Sequence, residues 1–594
     1  MRQMLQLLLL ALSCLEATTA GAAPVSATSS TEAFARARRE HRYVILDLEA
    51  VWCHWCHVMD RETYANKGVQ DVLAKNYVVL KLDQDAHPDF AARYGDWGWP
   101  ATIVFSPDGR ELYKHRGYIE APAMIDLLKA IVDDPTPRAS AISVPVVATT
   151  TATLTTDQRK ARLADYVSFY DAEHGDWGDT QRYIDAASVE LAIELAGDGD
   201  KQAEHMARQT LDGNLALIDP VWGGVYQYSI GPGWGRPHFE KIMSFQANDM
   251  RLYALAYATW KEPKYLHAAQ AIQRYMTGFL LAPDGAFYVS QDADLSSTVD
   301  GHVYYALEDT ARRARGLPAI DRHQYTRENA WAIAALCQVH DSLGDTDALE
   351  RATRTAHWVV AHRALRGGFR HDEKDAAGPY LADNMAMANA LLTLYRSTGE
   401  RTWLTRAETT LTFIDAYFRT RDAGYQSAPP SKDDTGALAE PLRNEDDNVA
   451  LARIANLAWR TTANPRYQHM SEHAARYALA WANAHPKSFM PGLLLVDHEM
   501  SAEPLHVAVV GAREDARAQA LHAAALEYPA LYRRIDWWDP REGPLPNPDV
   551  TYPKLARPAA FVCTGNACSP PVFEPQQVAA AVDRLRALAA PVND

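Results

Sequence analysis

The sequence predicts a multidomain chain of the α/β plus all-α class, and three observations carry that expectation. Its 594 residues exceed what a single hydrophobic core supports, so two or three units are expected. Near the N-terminus, short apolar runs alternate with helical stretches, the texture of a mixed sheet flanked by helices. Between 157 and 503, apolar residues recur at helical spacing through about a dozen segments.

Residues 1–23 read as an export signal, with Arg2 as the positive start, an apolar run over 4–12 and a small-residue cleavage site at Ala17-Thr18-Thr19-Ala20. The mature protein is therefore expected to be periplasmic or secreted, where disulfides persist. Cys14 faintly matches a lipoprotein box, but the apolar run ends too early to favour it. No later stretch holds the ~18 apolar residues of a membrane span. A formal charge of −16 without a basic stripe excludes a nucleic-acid partner.

The first folded unit is expected over 24–134, with a helix at 31–41 and a buried strand at 43–48. Trp52-Cys53-His54-Trp55-Cys56-His57 follows at once. Next come a helix at 69–75, a strand at 77–82, a helix at 89–94, two strands divided by Pro107-Asp108-Gly109 and a helix at 122–132. Residues 135–156, rich in Ser, Thr and Ala, read as a linker.

The stretch 31–134 resembles thioredoxin-fold proteins. Besides the cysteine pair, Asp47 matches their buried carboxylate, Gly98-Trp99-Pro100-Ala101 their cis-proline loop, and Gly117 a glycine after the last hairpin strand. The resemblance implies that Asp47 serves Cys56 as proton acceptor and that Pro100 shapes the surface on which a substrate strand lies.

From 157 to 503 helices dominate, punctuated by a recurring glycine-aromatic signature: Gly175-Asp176-Trp177-Gly178, Trp222-Gly223-Gly224-Val225-Tyr226, Gly285-Ala286-Phe287-Tyr288, Gly367-Gly368-Phe369 and Gly424-Tyr425. A repeated helix-hairpin unit explains it, and an (α/α)6 toroid of the six-hairpin kind is expected, with an open helical solenoid as the alternative. Residues 504–594 return to strands and helices and predict a small α/β module.

As a whole the chain resembles the thioredoxin-domain family typified by spermatogenesis-associated proteins and bacterial YyaL-type relatives. The residues carrying this are the motif from Trp52 to Met59, Gly98-Trp99-Pro100, Pro237-His238-Phe239-Glu240-Lys241, Ser290-Gln291-Asp292-Ala293-Asp294, Glu445-Asp446-Asp447-Asn448 and the tail around Cys563 and Cys568.

A helix N-terminus stabilises a thiolate, so Cys53 is the expected nucleophile and Cys56 the buried resolving thiol. His54 and His57 lie close enough in sequence to lower the thiol pKa, with Trp52 flanking them. Because stabilising the reduced form makes a disulfide more oxidising, the pair is expected to be a stronger oxidant than thioredoxin's. Cys53-His54-Trp55-Cys56-His57 also fits a c-type haem attachment sequence, but Asp47 and Pro100 favour the redox pair. Cys53, Cys56 and His57 offer soft ligands, yet no second ligand cluster lies near in sequence, so no metal is expected. The redox-active disulfide needs no further cofactor.

Six cysteines are few for this length. Cys563 and Cys568 are expected to form a local staple, and Cys337 to be a buried apolar residue. In the helical region His238, Glu240, Asp292, Asp294 and Glu445 fall where loops would ring one mouth of a toroid. Helix capping is the simple account of such acids, whereas paired carboxylates and a His-Glu pair also suit sugar chemistry. Trp177, Trp222, Trp234, Tyr226 and Tyr288 would then line a sugar cleft, or else plug the core. The sequence thus predicts a thiol-disulfide oxidoreductase acting on protein thiols or disulfides or on a redox partner protein, with the barrel as recognition platform. The alternative is a carbohydrate-binding or carbohydrate-processing barrel with a redox-regulatory domain.

Overall fold

The computed structural model describes residues 26–178, 180–375, 378–430, 434–564 and 567–589; the expected export signal lies outside them. The first unit runs α1 (Ser30–Glu40), β1 (Tyr43–Glu49), α2 (His54–Met59), α3 (Lys67–Asn76), β2 (Tyr77–Asp83), α4 (Pro88–Tyr94), β3 (Ala101–Phe105), β4 (Glu111–Arg116) and α5 (Ala121–Asp133). Its sheet has the order β2-β1-β3-β4, with β1 parallel to β2 and antiparallel to β3. Side chains alternate along β1, as the period of two in a strand requires. Val44, Leu46 and Leu48 enter the core that holds Phe34 of α1 and Phe90 of α4, while Ile45 enters the one beneath α3 and α5. Asp47 shares the parity of Ile45 and is therefore carried into the interior.

The helical region begins with α6 (Thr156–Ser168), α7 (Ala186–Gly197), α8 (Lys201–Asn214), α9 (Met243–Trp260) and α10 (Pro263–Tyr275). Two short helices, α11 (Gly301–Tyr305) and α12 (Asp309–Arg315), follow. Then come α13 (Thr326–Leu343), α14 (Thr346–His362), α15 (Leu381–Thr398), α16 (Arg401–Tyr417), α17 (Glu445–Thr462), α18 (Pro465–Ala484) and α19 (Pro491–Ser501). Helices α7, α9, α13, α15, α17 and α19 each pack on the next, and α19 returns to α7, closing an inner ring. Outside it α8, α10, α14, α16 and α18 back their hairpin partners and α6 backs α19. This is the (α/α)6 toroid, and the open solenoid does not form.

The glycine-aromatic signature has a physical cause that recurs. In four of the six inner helices the fourth residue is an amide whose side chain pairs with the backbone of the preceding aromatic hairpin. Asn329 accepts from Phe287 N and donates to Phe287 O; Asn384 does the same with Phe369, Asn448 with Tyr425, and Gln246 with Val225. The approach is close enough to need glycine, since a Cβ on Gly368 would sit 2.6 Å from Asn384 Oδ1. Trp177, Trp222, Trp234 and Tyr226 are buried plugs of these turns, and Tyr288 is half-buried.

Helix α19 escapes sequence reading because it is short and apolar nearly all round, with Leu493, Leu494, Leu495 and Val496 all buried. A helix buried on every side shows no amphipathic period.

The C-terminal module repeats the strand order of the N-terminal sheet. Its central strand, Leu505–Val510, is parallel to Arg533–Trp538 and antiparallel to Ala559–Thr564, which pairs with Ala567–Cys568. Cys563 and Cys568 face each other across that ribbon and form a disulfide, and Cys337 is a buried free thiol. The module rests on the toroid through Tyr395 Oη to Asp536 (2.9 Å) and Asn456 Nδ2 to Tyr532 (2.8 Å).

Lys241, at the end of the Pro237–Lys241 motif, is wholly buried. Its Nζ donates to Asp219 Oδ2 and to the Gly223 carbonyl, both at 2.8 Å, and Arg312 reaches the same carboxylate oxygen at 2.7 Å. Two buried cations thus depend on one anion. Asp219→Ala should lose roughly 3–5 kcal/mol of stability, the cost of stranding buried charge, read as a lowered midpoint in urea denaturation; a midpoint near wild type would show that Lys241 and Arg312 find other partners.

Candidate functional site

Strand β1 delivers the chain to α2, and Cys53 is that helix's N-cap, its Sγ accepting from Cys56 N at 3.1 Å. Cys53 and Cys56 form a disulfide. The neighbouring Trp99-Pro100 peptide is cis, and Gly117 (φ +79°) donates its N–H to the Pro100 carbonyl at 2.9 Å. Trp52 packs edge-on to Trp99 and donates its indole N–H to Asp85 Oδ2 at 2.7 Å.

Asp47 is held in the interior with its pKa pushed up to about 8, first by burial and then by the charge of Glu49, against the pull of Lys81. Lys81 is committed elsewhere, to Glu49 at 2.7 Å and Asp60 at 2.6 Å, and lies 4.0 Å from Asp47. A carboxyl poised near the thiol range is suited to exchanging a proton with a cysteine.

The dithiol does not face open solvent. Cys53 is 3% exposed and Cys56 2%, and they share an apolar cluster with Ala50, Trp52 and Ile242, against which Trp99 and Phe245 pack. Ile242 and Phe245 belong to the toroid, so the first unit is seated on the mouth formed by the N-terminal ends of the inner helices. Around this contact the two units interlock: His54 Nδ1 meets Asp294 Oδ2 at 2.6 Å, the His54 N–H donates to Glu240 Oε1 at 3.2 Å, and His57 Nδ1 lies 3.8 Å from Asp292 Oδ2. Trp55 stacks over His238, which in turn stacks on Tyr228.

Electrostatics differ sharply across this group. The hydrogen bond from Asp294 raises the His54 pKa over the opposing effect of burial. Burial also raises Asp294, but the His54 hydrogen bond and charge outweigh it and leave that carboxyl below its ordinary value. Burial pushes Glu240 and Asp292 each up to about 7 and lowers His238 to about 4.

Four of the five barrel residues singled out in the sequence, His238, Glu240, Asp292 and Asp294, therefore meet at the motif histidines. Glu445 does not join them. It opens α17 in a separate acidic group, raised to about 7 by burial and by the charges of Asp446 and Asp96. Its helix is capped by Asn444, which accepts from Asp447 N, rather than by an acid.

Sequence reasoning missed a second polar hub between the two units. His371 bridges Asp383 (2.9 Å) and the Asp85 carbonyl (2.7 Å), while Arg327 Nη2 pairs with Glu328 (2.6 Å) beside Asp85 (3.8 Å). Only the placement of Asp383 one residue before the amide Asn384 could have hinted at it.

The chain is similar to several known proteins. Residues 20–140 match the Thioredox_DsbH family, described as a protein of unknown function, DUF255. Uncharacterized protein B0495.5 of Caenorhabditis elegans is 22% identical over 449 residues, covering 65% of this chain and 62% of that protein. Spermatogenesis-associated protein 20 of Homo sapiens is 26% identical over 301 residues, covering 44% of this chain and 38% of that one. The matches thus span less than two thirds of these relatives' length. Among solved structures, a D-mannose isomerase is similar at TM-score 0.43 and 12% identity, covering 55% of this chain and 86% of its own. Cellobiose 2-epimerase from Bacillus thermoamylovorans is similar at TM-score 0.43 and 11% identity, covering 54% and 85%. Around its cysteine pair the chain thus resembles the Thioredox_DsbH family, and it is similar in sequence to spermatogenesis-associated protein 20.

Proposed function

We propose that the protein is an exported thiol-disulfide oxidoreductase whose toroid forms one wall of the exchange site. The observation that carries this reading is the Cys53–Cys56 disulfide at the N-terminus of α2, flanked by the cis Pro100 loop, with Asp47 buried on the strand that leads into it. In the reducing direction, Cys53 thiolate attacks one sulfur of a substrate disulfide and displaces the other as a thiolate, which takes up a proton. Cys56, having given its proton to Asp47 in its ionised form, then attacks Cys53 Sγ of the mixed disulfide. The Cys53–Cys56 bond forms, the second substrate thiolate leaves, and two electrons have passed to the substrate; oxidation of a substrate dithiol is the reverse.

His54, whose pKa Asp294 raises, adds to the helix N-terminus in favouring the adjoining Cys53 thiolate, so the pair should equilibrate in a glutathione buffer at a potential above the about −270 mV of thioredoxin. Cys53→Ser serves as the blank, and a potential at or below that value removes the claim of an oxidising pair. Cys56→Ser leaves the mixed disulfide on Cys53 unresolved. It should accumulate adducts on non-reducing electrophoresis that are absent when Cys53 is also replaced; no adduct in either variant would refute exchange at Cys53.

Asp47 supplies a pH signature. Facing it are Glu49 on its own strand, Lys81 on β2, Asp60 beyond α2 and Tyr64. Its folded pKa of about 8 stands above the ordinary 3.8, so the folded state keeps a proton that the unfolded chain releases. Its contribution to stability is therefore greatest at low pH and declines as pH rises toward 8. Asp47→Asn should flatten the fall in the urea midpoint between pH 5 and pH 8, and an unchanged slope would show that Asp47 is ionised in the fold.

A second reading, a carbohydrate-processing barrel under redox control, is favoured by the convergence of a neutral His238 with Glu240 and Asp292. A monosaccharide that raises the melting temperature of the wild type but not of Glu240→Gln would support it; no shift across a panel of sugars would count against it.

A further inference from the structure

We infer that His57, Asp292 and Asp294 form a binding site for one divalent first-row cation, where the redox motif meets the toroid. One ligand atom from each lies within 4.8 Å of the others. Their surroundings hold them as metal ligands are held. The Nε2 of His57 lies 3.1 Å from the Val51 carbonyl, which can only accept, so that nitrogen carries a proton and Nδ1 is the nitrogen turned toward Asp292. Fixing a ligating imidazole through its other nitrogen is the usual device of metal sites.

The carboxylates are similarly braced. Asp292 Oδ1 accepts from Asp294 N at 2.9 Å, leaving Oδ2 toward His57. Asp294 Oδ1 accepts from Gly301 N at 2.9 Å, and its Oδ2 is met by His54. The His57–Asp292 separation of 3.8 Å is too long for a good hydrogen bond. It is close to the edge of a coordination polyhedron whose bonds are about 2.0–2.2 Å, needing only a small inward shift.

An independent observation points the same way. Glu240 is 2% exposed, its Oε2 has no hydrogen-bond partner, and its charge acts on both Asp292 and Asp294. Three carboxylates and three imidazoles, those of His54, His57 and His238, are thus gathered where, among the described residues, no Lys or Arg pairs with the carboxylates. A cation would balance that charge. One nitrogen and two oxygen donors suit zinc or manganese and leave coordination positions for water, while His57 remains partly exposed to admit the ion.

The test uses the full-length protein with Cys53–Cys56 oxidised, so that thiolates cannot ligate. After removal of metal by chelation, calorimetric titration with Zn2+, Mn2+ and Co2+ should show one ion bound per chain. Bound Co2+ should give visible bands without a sulfur charge-transfer band. His57→Gln and Asp292→Asn should each weaken binding by more than about tenfold, and the Cys53→Ser/Cys56→Ser double variant should bind like wild type. Metal should raise the melting temperature of the wild type and leave that of either ligand variant in place, which separates loss of the site from loss of the fold. Absence of stoichiometric binding, binding indifferent to both ligand variants, or binding lost with the cysteines would each overturn the assignment. Thiol exchange is scored separately, so the metal site and the redox reading can fail independently.

Discussion

The structure turns on the seating of α2 against the mouth of the toroid. A thioredoxin-like unit alone would present its dithiol to solvent. Here Ile242 and Phe245 close over the sulfurs, while Asp294 and Glu240 accept from His54. The sheet, the cis Pro100 loop and Asp47 set the geometry of the pair from below, and the toroid sets its environment from above. Neither unit holds the whole site.

That seating also explains the density of ionisable groups at the interface. Burying a carboxylate is costly unless it is bonded or neutralised. The hub of Arg327, Glu328, His371 and Asp383 meets this demand by pairing, with His371 held protonated up to about 9 by Asp383 against the effect of burial, while Asp85 beside it is raised by burial to about 8. Glu240 and Asp292 are not paired with a full charge and rise toward neutrality instead. The two groups border the same contact yet satisfy the cost of burial differently.

Much of this was legible in the sequence because it is local. Strand β1, the cysteine spacing, Asp47, Pro100 and the glycine-aromatic turns are patterns within a few residues of one another. The toroid was readable as hairpins, since their outer helices keep an amphipathic period. What could not be read was long-range. His54 and Asp294 lie 240 residues apart, and nothing in either segment announces the other. The same gap hid the histidine-carboxylate group, which needs His57 beside Asp292. Glu445 looked equivalent to Asp292 in chain position, yet its helix opens on a different part of the rim, facing Asp96. The repeat of strand order in the C-terminal module was equally hidden, since a shared topology needs no shared residues.

The amide at the fourth position of the inner helices bears on how so long a chain assembles. Each such side chain reaches back only to the hairpin just made, across 21, 42, 15 and 23 residues for Gln246, Asn329, Asn384 and Asn448. The ring can therefore grow hairpin by hairpin through contacts of short sequence separation, which carry a small loop-closure cost. Only the last joint differs. Asp497 of α19 accepts from Leu154 N across 343 residues, where the end of the ring meets its beginning. Closure at that seam converts a growing arc into a circle, and the rim on which the dithiol unit rests is complete only then.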